Sequence, residues 1–247
     1  MAINAGINAV FSADLKGDVK ALTFDTGGTV LDWHSGISRA LAAAGQKRGL
    51  NADWAAITNE YRRRSLKGIV GQVNPAFNFD DVHRTVLDSI IAEYKLDALT
   101  KDDRDTIWRT WHSLDAWPDF AAALARLRKR YVVASFTLLT TSLVIDVSKK
   151  NGIDWDAIIS CEMFGIYKTR PEAYRRAAKL LQLEPAQILM VACHNFDLNA
   201  ALECGYKTAF VRRPTEWGRE GPPDPVANPA HTLAVDTFAE LAERLGA

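Results

Sequence analysis

Asp25 is the residue of this chain that is best placed to do chemistry. It ends a short apolar run, residues 19–24, and a glycine turn at Gly27-Gly28 follows at once. A carboxylate at the C-terminal tip of a buried strand lies where open α/β sheets bind their ligands, and the turn holds it in a defined direction. Asp25 is therefore a candidate nucleophile, the alternative being a carboxylate that only caps the turn.

Three further polar segments fall at or near the C-terminal ends of later predicted strands. They are Thr137-Leu138, then Lys168 with Tyr174 six residues beyond it, and then His194-Asn195-Phe196-Asp197. Strand tips of one parallel sheet converge on one crevice, so these groups are expected to meet Asp25.

The elements that must position these residues follow from hydrophobic periodicity. Residues 36–111 repeat apolar side chains at helix spacing without a strand, and from residue 120 onwards helices alternate with strands. Strands are predicted at residues 131–136, 157–160, 188–192 and 207–211, and helices at 120–130, 141–151, 171–183, 197–205 and about 237–245. Residues 213–229, rich in Gly and Pro, are predicted to form a surface loop.

This order predicts an α/β protein, a doubly wound parallel sheet with an inserted α-helical cap domain. The core domain is predicted at residues 18–34 and 115–247, the cap at 35–114, and an N-terminal extension at 1–17. A cap inserted after the first strand can close over the strand tips and exclude water.

The composition of the chain limits the classes of binding partner that are expected. The chain has 247 residues, of which 48% are hydrophobic, and its 30 basic residues balance 30 acidic ones. Neither nucleic acid nor a membrane is therefore an expected partner, and a small molecule is favoured. Three cysteines without CxxC spacing fit free thiols in a reducing compartment, and together with the lack of a long apolar run at the N-terminus they predict a cytoplasmic protein.

Taken together, the four segments resemble a known family. Phe24-Asp25-Thr26-Gly27-Gly28-Thr29 and the three later segments are similar, in order, to the motifs of the L-2-haloacid dehalogenase branch of the haloacid dehalogenase superfamily, over about residues 19–213. The resemblance implies a Rossmann-like core. It also implies that Asp25 attacks a substrate carbon to form an aspartyl ester, which water then hydrolyses.

The resemblance gives roles to the polar segments. Lys168 is expected to keep Asp25 ionised, and Asp197 to orient Lys168 or to activate water. His194 is a base near neutral pH, and Asn195 is a donor to substrate or water, although either can be structural. Tyr174 belongs to the lysine motif and is placed beside the substrate.

Substrate binding is assigned to several groups around the nucleophile. The backbone amides of Thr26 and Gly27, with the hydroxyl of Thr137, are expected to hold a carboxylate. The branch has an arginine in its cap, and Arg62 is taken as the corresponding residue here. Three adjacent arginines, however, commonly form the solvated face of a helix. Trp33 is expected to wall the pocket, or else to pack as core.

Two positions depart from the branch. Gly27 stands where phosphatases carry an acidic residue and dehalogenases an aromatic one, which predicts extra room beside Asp25. Leu138 replaces an asparagine that solvates the departing halide, and an alkyl group donates nothing to an anion. These departures favour L-azetidine-2-carboxylate as substrate, with ring opening to 4-amino-2-hydroxybutanoate, over an L-2-haloacid.

A magnesium-dependent phosphatase and an inactive binding protein stay open as further alternatives. Attack by a carboxylate on carbon needs no metal, so neither a metal nor another cofactor is expected, although Asp25 and Asp197 could hold magnesium in principle. A homodimer is a further expectation, with Trp54, Trp108 and Trp111 offering apolar surface on the cap.

Overall fold

The computed structural model of the protein describes residues 18–74 and 76–247. Within these residues six parallel strands form one sheet in the order β3-β2-β1-β4-β5-β6. The strands are β1 (Ala21–Phe24), β2 (Val132–Thr137), β3 (Ala157–Ser160), β4 (Ile188–Ala192), β5 (Lys207–Val211) and β6 (Leu233–Val235). The predicted doubly wound parallel sheet is confirmed, whereas the predicted extension at 1–17 lies outside the described residues.

Nine α-helices are found in the described part of the chain. They are α1 (Trp33–Lys47), α2 (Trp54–Ile69), α3 (Phe79–Glu93), α4 (Lys101–Arg109), α5 (Phe120–Leu127), α6 (Thr141–Asn151), α7 (Pro171–Leu181), α8 (Asn195–Glu203) and α9 (Phe238–Arg244). Helices α1 to α5 lie between β1 and β2 in sequence, and the division into a core and a cap at 35–114 stays a prediction.

Local chemistry explains where several helices begin and end. The Asp32 carboxylate caps the start of α1 by accepting from the Ser35 amide, and Pro171 opens α7 at a position where no amide donor is needed. Gly152 ends α6 in the left-handed conformation that glycine adopts without steric cost.

The central position of β1 places the nucleophile. β1 pairs with β2 on one side and with β4 on the other, and its four residues are fully buried. Asp25, Thr137 and residues 193–194 therefore emerge at one edge of the sheet, as the sequence predicted.

The cap tryptophans do not form the expected surface. Trp111 is fully buried and packs edge-on against Tyr61 and flat against His83, and Trp108 is 8% exposed. The prediction of apolar surface at these two positions was wrong, because the helices of the cap pack on one another through them. No helix in the described ranges is both long enough and apolar enough to cross a membrane.

Two details differ from the predicted elements. A sixth strand, β6, was not predicted, since three residues are too few for a periodic signal. The predicted loop at 213–229 contains a 3₁₀ turn at Gly218–Glu220, and its first residues return toward the nucleophile.

Candidate active site

Asp25 directs its two carboxylate oxygens at different partners. Oδ2 accepts from the Thr29 hydroxyl at 2.8 Å and lies 3.2 Å from Nδ1 of His194, whereas Oδ1 lies 3.4 Å from Nζ of Lys168. The side chain is almost fully buried, and its backbone amide donates to Val191 of β4. The carboxylate is thus fixed in orientation, with one oxygen less encumbered than the other.

The neighbours of Asp25 keep it ionised. Burial by itself raises the pKa of a carboxyl group, but the Lys168 ammonium, the His194 ring and the Thr29 hydroxyl outweigh burial and hold the pKa of Asp25 well below its usual range. An ionised carboxylate is the form that can attack carbon.

Lys168 joins two buried carboxylates. Its Nζ donates to Asp197 Oδ2 at 2.7 Å and to Asp25 Oδ1, and Asp197 Oδ1 accepts from the Tyr174 hydroxyl at 2.7 Å. Burial lowers the pKa of Lys168, but the two carboxylates raise it more, so the amine stays charged. Burial and the charge of Asp25 raise the pKa of Asp197 despite its contact with Lys168. The Tyr174 hydroxyl therefore orients Asp197 in this structure. The predicted contact of Tyr174 with substrate would need the same hydroxyl.

The cap contributes Arg62, which is the arginine that points inward. Its Nη2 donates to the Gly27 carbonyl at 3.2 Å, and its guanidinium carbon lies 5.4 Å from the ring centroids of Trp33 and Trp111. Arg63 pairs instead with Glu220. The aromatic surroundings hold a desolvated cation directly beside the nucleophile turn.

Arg62 carries donors that the protein itself does not use. It is 3% exposed, and its Nε and Nη1 have no acceptor among the residues that the structure describes. A buried charged donor without a partner is costly, so the position favours a negatively charged ligand.

The extra room predicted beside Gly27 is not found. A Cβ at Gly27 would lie 3.2 Å from Arg62 Nη2 and 3.7 Å from the Leu139 side chain. The guanidinium fills the space that the missing ring leaves, so this prediction was wrong. Leu139, which the sequence reasoning passed over, lines the turn there.

Sequence reasoning missed Glu216. This fully buried carboxylate accepts from His194 Nε2 at 2.9 Å and from Trp33 Nε1 at 3.0 Å through the same oxygen. It lies in the segment that the sequence predicted to be a surface loop, and a single glutamate there carries no distinguishing signal. Thr29 was visible within the first motif, but its bond to Asp25 was not anticipated.

A second group of ligand-type atoms lies behind the nucleophile. Cys193 Sγ, His194 and Glu216 offer atoms within 4.8 Å of one another. Burial and the nearby Glu216 charge raise the pKa of Cys193 to about 11, so the thiol is neutral near pH 7. Between Asp25 and Asp197, Lys168 supplies the positive charge that a magnesium ion would bring.

Several predicted residues have other partners. Thr26 Oγ1 pairs with Ser135 at 2.7 Å, and Thr137 Oγ1 accepts from the Leu139 amide. Leu138 is buried beside Thr137. The Asn195 side chain donates to the Val226 carbonyl and so braces the loop after Glu216. Donation by Asn195 to substrate or water stays a prediction, and it would have to compete with this bond.

The turn after Asp25 makes a stability prediction at Gly28. Gly28 has φ +98°, and a Cβ there would lie 2.0 Å from Glu216 Oε1. Gly28→Ala is therefore expected to lower the free energy of unfolding by about 2–4 kcal/mol, combining backbone strain with displacement of a buried carboxylate. Gly49→Ala, at φ +67° with open space around it, isolates the backbone cost. If Gly28→Ala and Gly49→Ala lost equal free energy of unfolding in urea, the steric argument would be contradicted.

Comparison with known proteins adds independent findings. A family model described as haloacid dehalogenase-like hydrolase matches residues 19–192. The crystal structure of the defluorinating L-2-haloacid dehalogenase Rha0230 is 33% identical and superposes with a TM-score of 0.86 over 93% of this chain and 96% of that one. The L-2-haloacid dehalogenase PA0810 is 31% identical, with a TM-score of 0.85 over 92% and 99%. The (S)-2-haloacid dehalogenase 4A of Burkholderia cepacia is 26% identical over 203 residues, 79% of this chain and 84% of that protein.

Proposed function

We propose, from the premise that this chain belongs to the haloacid dehalogenase-like hydrolase family, that it hydrolyses small L-2-haloacids through an aspartyl ester. Asp25 Oδ1 attacks the α-carbon, and the carbon–halogen electron pair leaves with the halide. Water then adds to Cγ of the ester, and the 2-hydroxy acid departs with Oδ1. Asp197, tied to Lys168, is the base proposed for the water.

One observation carries the choice of an anionic leaving group. Arg62 is a buried guanidinium beside the nucleophile turn, and two of its nitrogen atoms have no acceptor among the described residues. Those N–H groups can bind a substrate carboxylate or a departing halide, in place of the asparagine that Leu138 replaces. A ring amine, which is cationic at neutral pH, would be repelled there unless the substrate carboxylate occupies Arg62.

L-Azetidine-2-carboxylate is the second candidate. Leu138 supports it, since an alkyl side chain next to Thr137 cannot donate to a halide. The expected extra space at Gly27 no longer supports it, because the Arg62 guanidinium occupies that space. The relatives named as haloacid dehalogenases also favour a halide over a ring amine.

The test compares halide release from L-2-chloropropionate with ring opening of L-azetidine-2-carboxylate at equal concentrations. Halide release is expected to dominate, and Arg62→Met is expected to lower kcat/KM for it by at least about 100-fold. Arg63→Met, one residue along α2 and paired with exposed Glu220, is the matched control and should change it by less than about twofold. Faster ring opening would replace this proposal by the second candidate. Magnesium-dependent release of phosphate from phosphate esters, without halide release from L-2-chloropropionate, would replace both candidates by a phosphatase.

A further inference from the structure

His194 lies between two carboxylates, and that position sets its protonation. Nδ1 is 3.2 Å from Asp25 Oδ2, and Nε2 is 2.9 Å from Glu216 Oε1. An ionised carboxylate only accepts hydrogen bonds, so Nε2 carries a proton towards Glu216, and the ion-pair contact of Nδ1 with Asp25 is attractive when Nδ1 is protonated as well. The geometry describes an imidazolium whose two N–H groups point in opposite directions.

Other charged or polar groups around the pair reinforce this state. Those facing His194 or Glu216 from the surrounding elements are Asp25, Thr29, Trp33, Arg62 and Cys193. Burial lowers the pKa of His194, but the negative charge of Glu216 and the contact with the Asp25 carboxylate raise it well above its ordinary value. Burial raises the pKa of Glu216, but His194, Trp33 and Arg62 lower it more.

The two donors on Asp25 Oδ2 matter after the nucleophile has reacted. If Oδ1 forms the ester, Oδ2 becomes the ester carbonyl oxygen, with the Thr29 hydroxyl at 2.8 Å and His194 at 3.2 Å. When water adds to Cγ, its proton passes to Asp197 and the carbonyl electron pair moves onto Oδ2. When that pair returns, the Cγ–Oδ1 bond breaks and the alkoxide takes the proton from Asp197. The new Asp25 carboxyl group then releases the remaining water proton to solvent.

We propose that Glu216 is a positioning residue for ester hydrolysis, because it fixes His194 as the charged donor to the oxygen that becomes the oxyanion. The proposal rests on the proposed function for its chemistry. Preorganised donors aimed at a developing oxyanion typically contribute 10²–10³-fold each, and a charged donor in a buried site is stronger than a neutral one. Glu216 thus acts on the second step, whereas Lys168 and Arg62 act on the first.

The first test needs no substrate. ¹⁵N NMR of the His194 ring is expected to show both nitrogens still protonated in the parent protein over a range of pH above the ordinary histidine pKa, about 6.5. Glu216→Gln is expected to lose one proton within that range, and Glu216→Asp to keep both. Glu220→Gln, an exposed carboxylate in the same loop, is the matched control and should leave the signals unchanged. A singly protonated ring in the parent protein would overturn the proposal.

The second test separates the two chemical steps with L-2-chloropropionate. In Glu216→Gln, mass analysis of rapidly quenched protein is expected to show accumulated Asp25 ester, with hydrolysis slowed about 10- to 100-fold and ester formation changed by less than threefold. Glu216→Asp should recover most of the hydrolysis rate. Slower ester formation with unchanged hydrolysis would overturn the role given to Glu216. An absence of halide release by the parent protein would instead contradict the proposed function and leave the NMR result standing.

Discussion

Replacing Asp25 by Asn is expected to lower turnover by at least about 10⁴-fold, because an amide oxygen is a far weaker nucleophile than a carboxylate. Asn has nearly the same shape as Asp, and Thr29 can still donate to its oxygen, so the fold should survive. Halide release from L-2-chloropropionate is the measurement.

The control for Asp25→Asn is Asp32→Asn, seven residues away in the same loop. Asp32 caps α1 by accepting from the Ser35 amide, and Asn caps helices equally well. Asp32→Asn should therefore keep turnover within about twofold. A single turnover of the parent protein in ¹⁸O-water should place the label in Asp25 and leave the hydroxy acid unlabelled. Label in the product alone would mean that water attacks the substrate directly.

The sheet could be predicted from the sequence because its strands are short apolar runs separated by amphipathic helices. The predicted bounds at 157–160, 188–192 and 207–211 agree with β3, β4 and β5. The convergence of Asp25, Lys168, His194 and Asp197 followed from parallel strands ending at one edge. These are local signals combined with one topological rule.

The rest of the site could not be predicted, because it depends on contacts between segments distant in the sequence. Glu216 reaches His194 only because the loop after β5 returns over the nucleophile turn, and no periodic pattern encodes that path. Arg62 fills the space at Gly27 because α2 brings its guanidinium to the turn after β1. The sequence could show a missing side chain at Gly27, but not which neighbour occupies its place.

Lys168 is the residue whose removal should change both pH dependence and stability. In Lys168→Met, Asp25 loses the positive charge that lowers its pKa most, so the pKa should rise. Only the ionised carboxylate attacks, so the acid limb of the kcat/KM profile should move to higher pH, and turnover at neutral pH should fall by about 10²-fold or more. Lys149→Met, an exposed lysine on α6, is the control and should leave the profile unchanged.

The stability effect has a definite sign. The lowered pKa of Asp25 gives the folded protein a stabilising contribution that is present above the ordinary aspartate pKa, near 3.8, and is lost as the pH falls below it. Lys168→Met removes most of that contribution and leaves two buried carboxylates without their shared cation, at a cost of about 3–5 kcal/mol in unfolding free energy near pH 7. Adding Asp197→Asn removes one of the two negative charges, so the double variant should recover much of the stability without recovering turnover. If the double variant recovered turnover together with stability, Lys168 would act only as structural support. The Asp25 carboxylate would then attack without a neighbouring ammonium group.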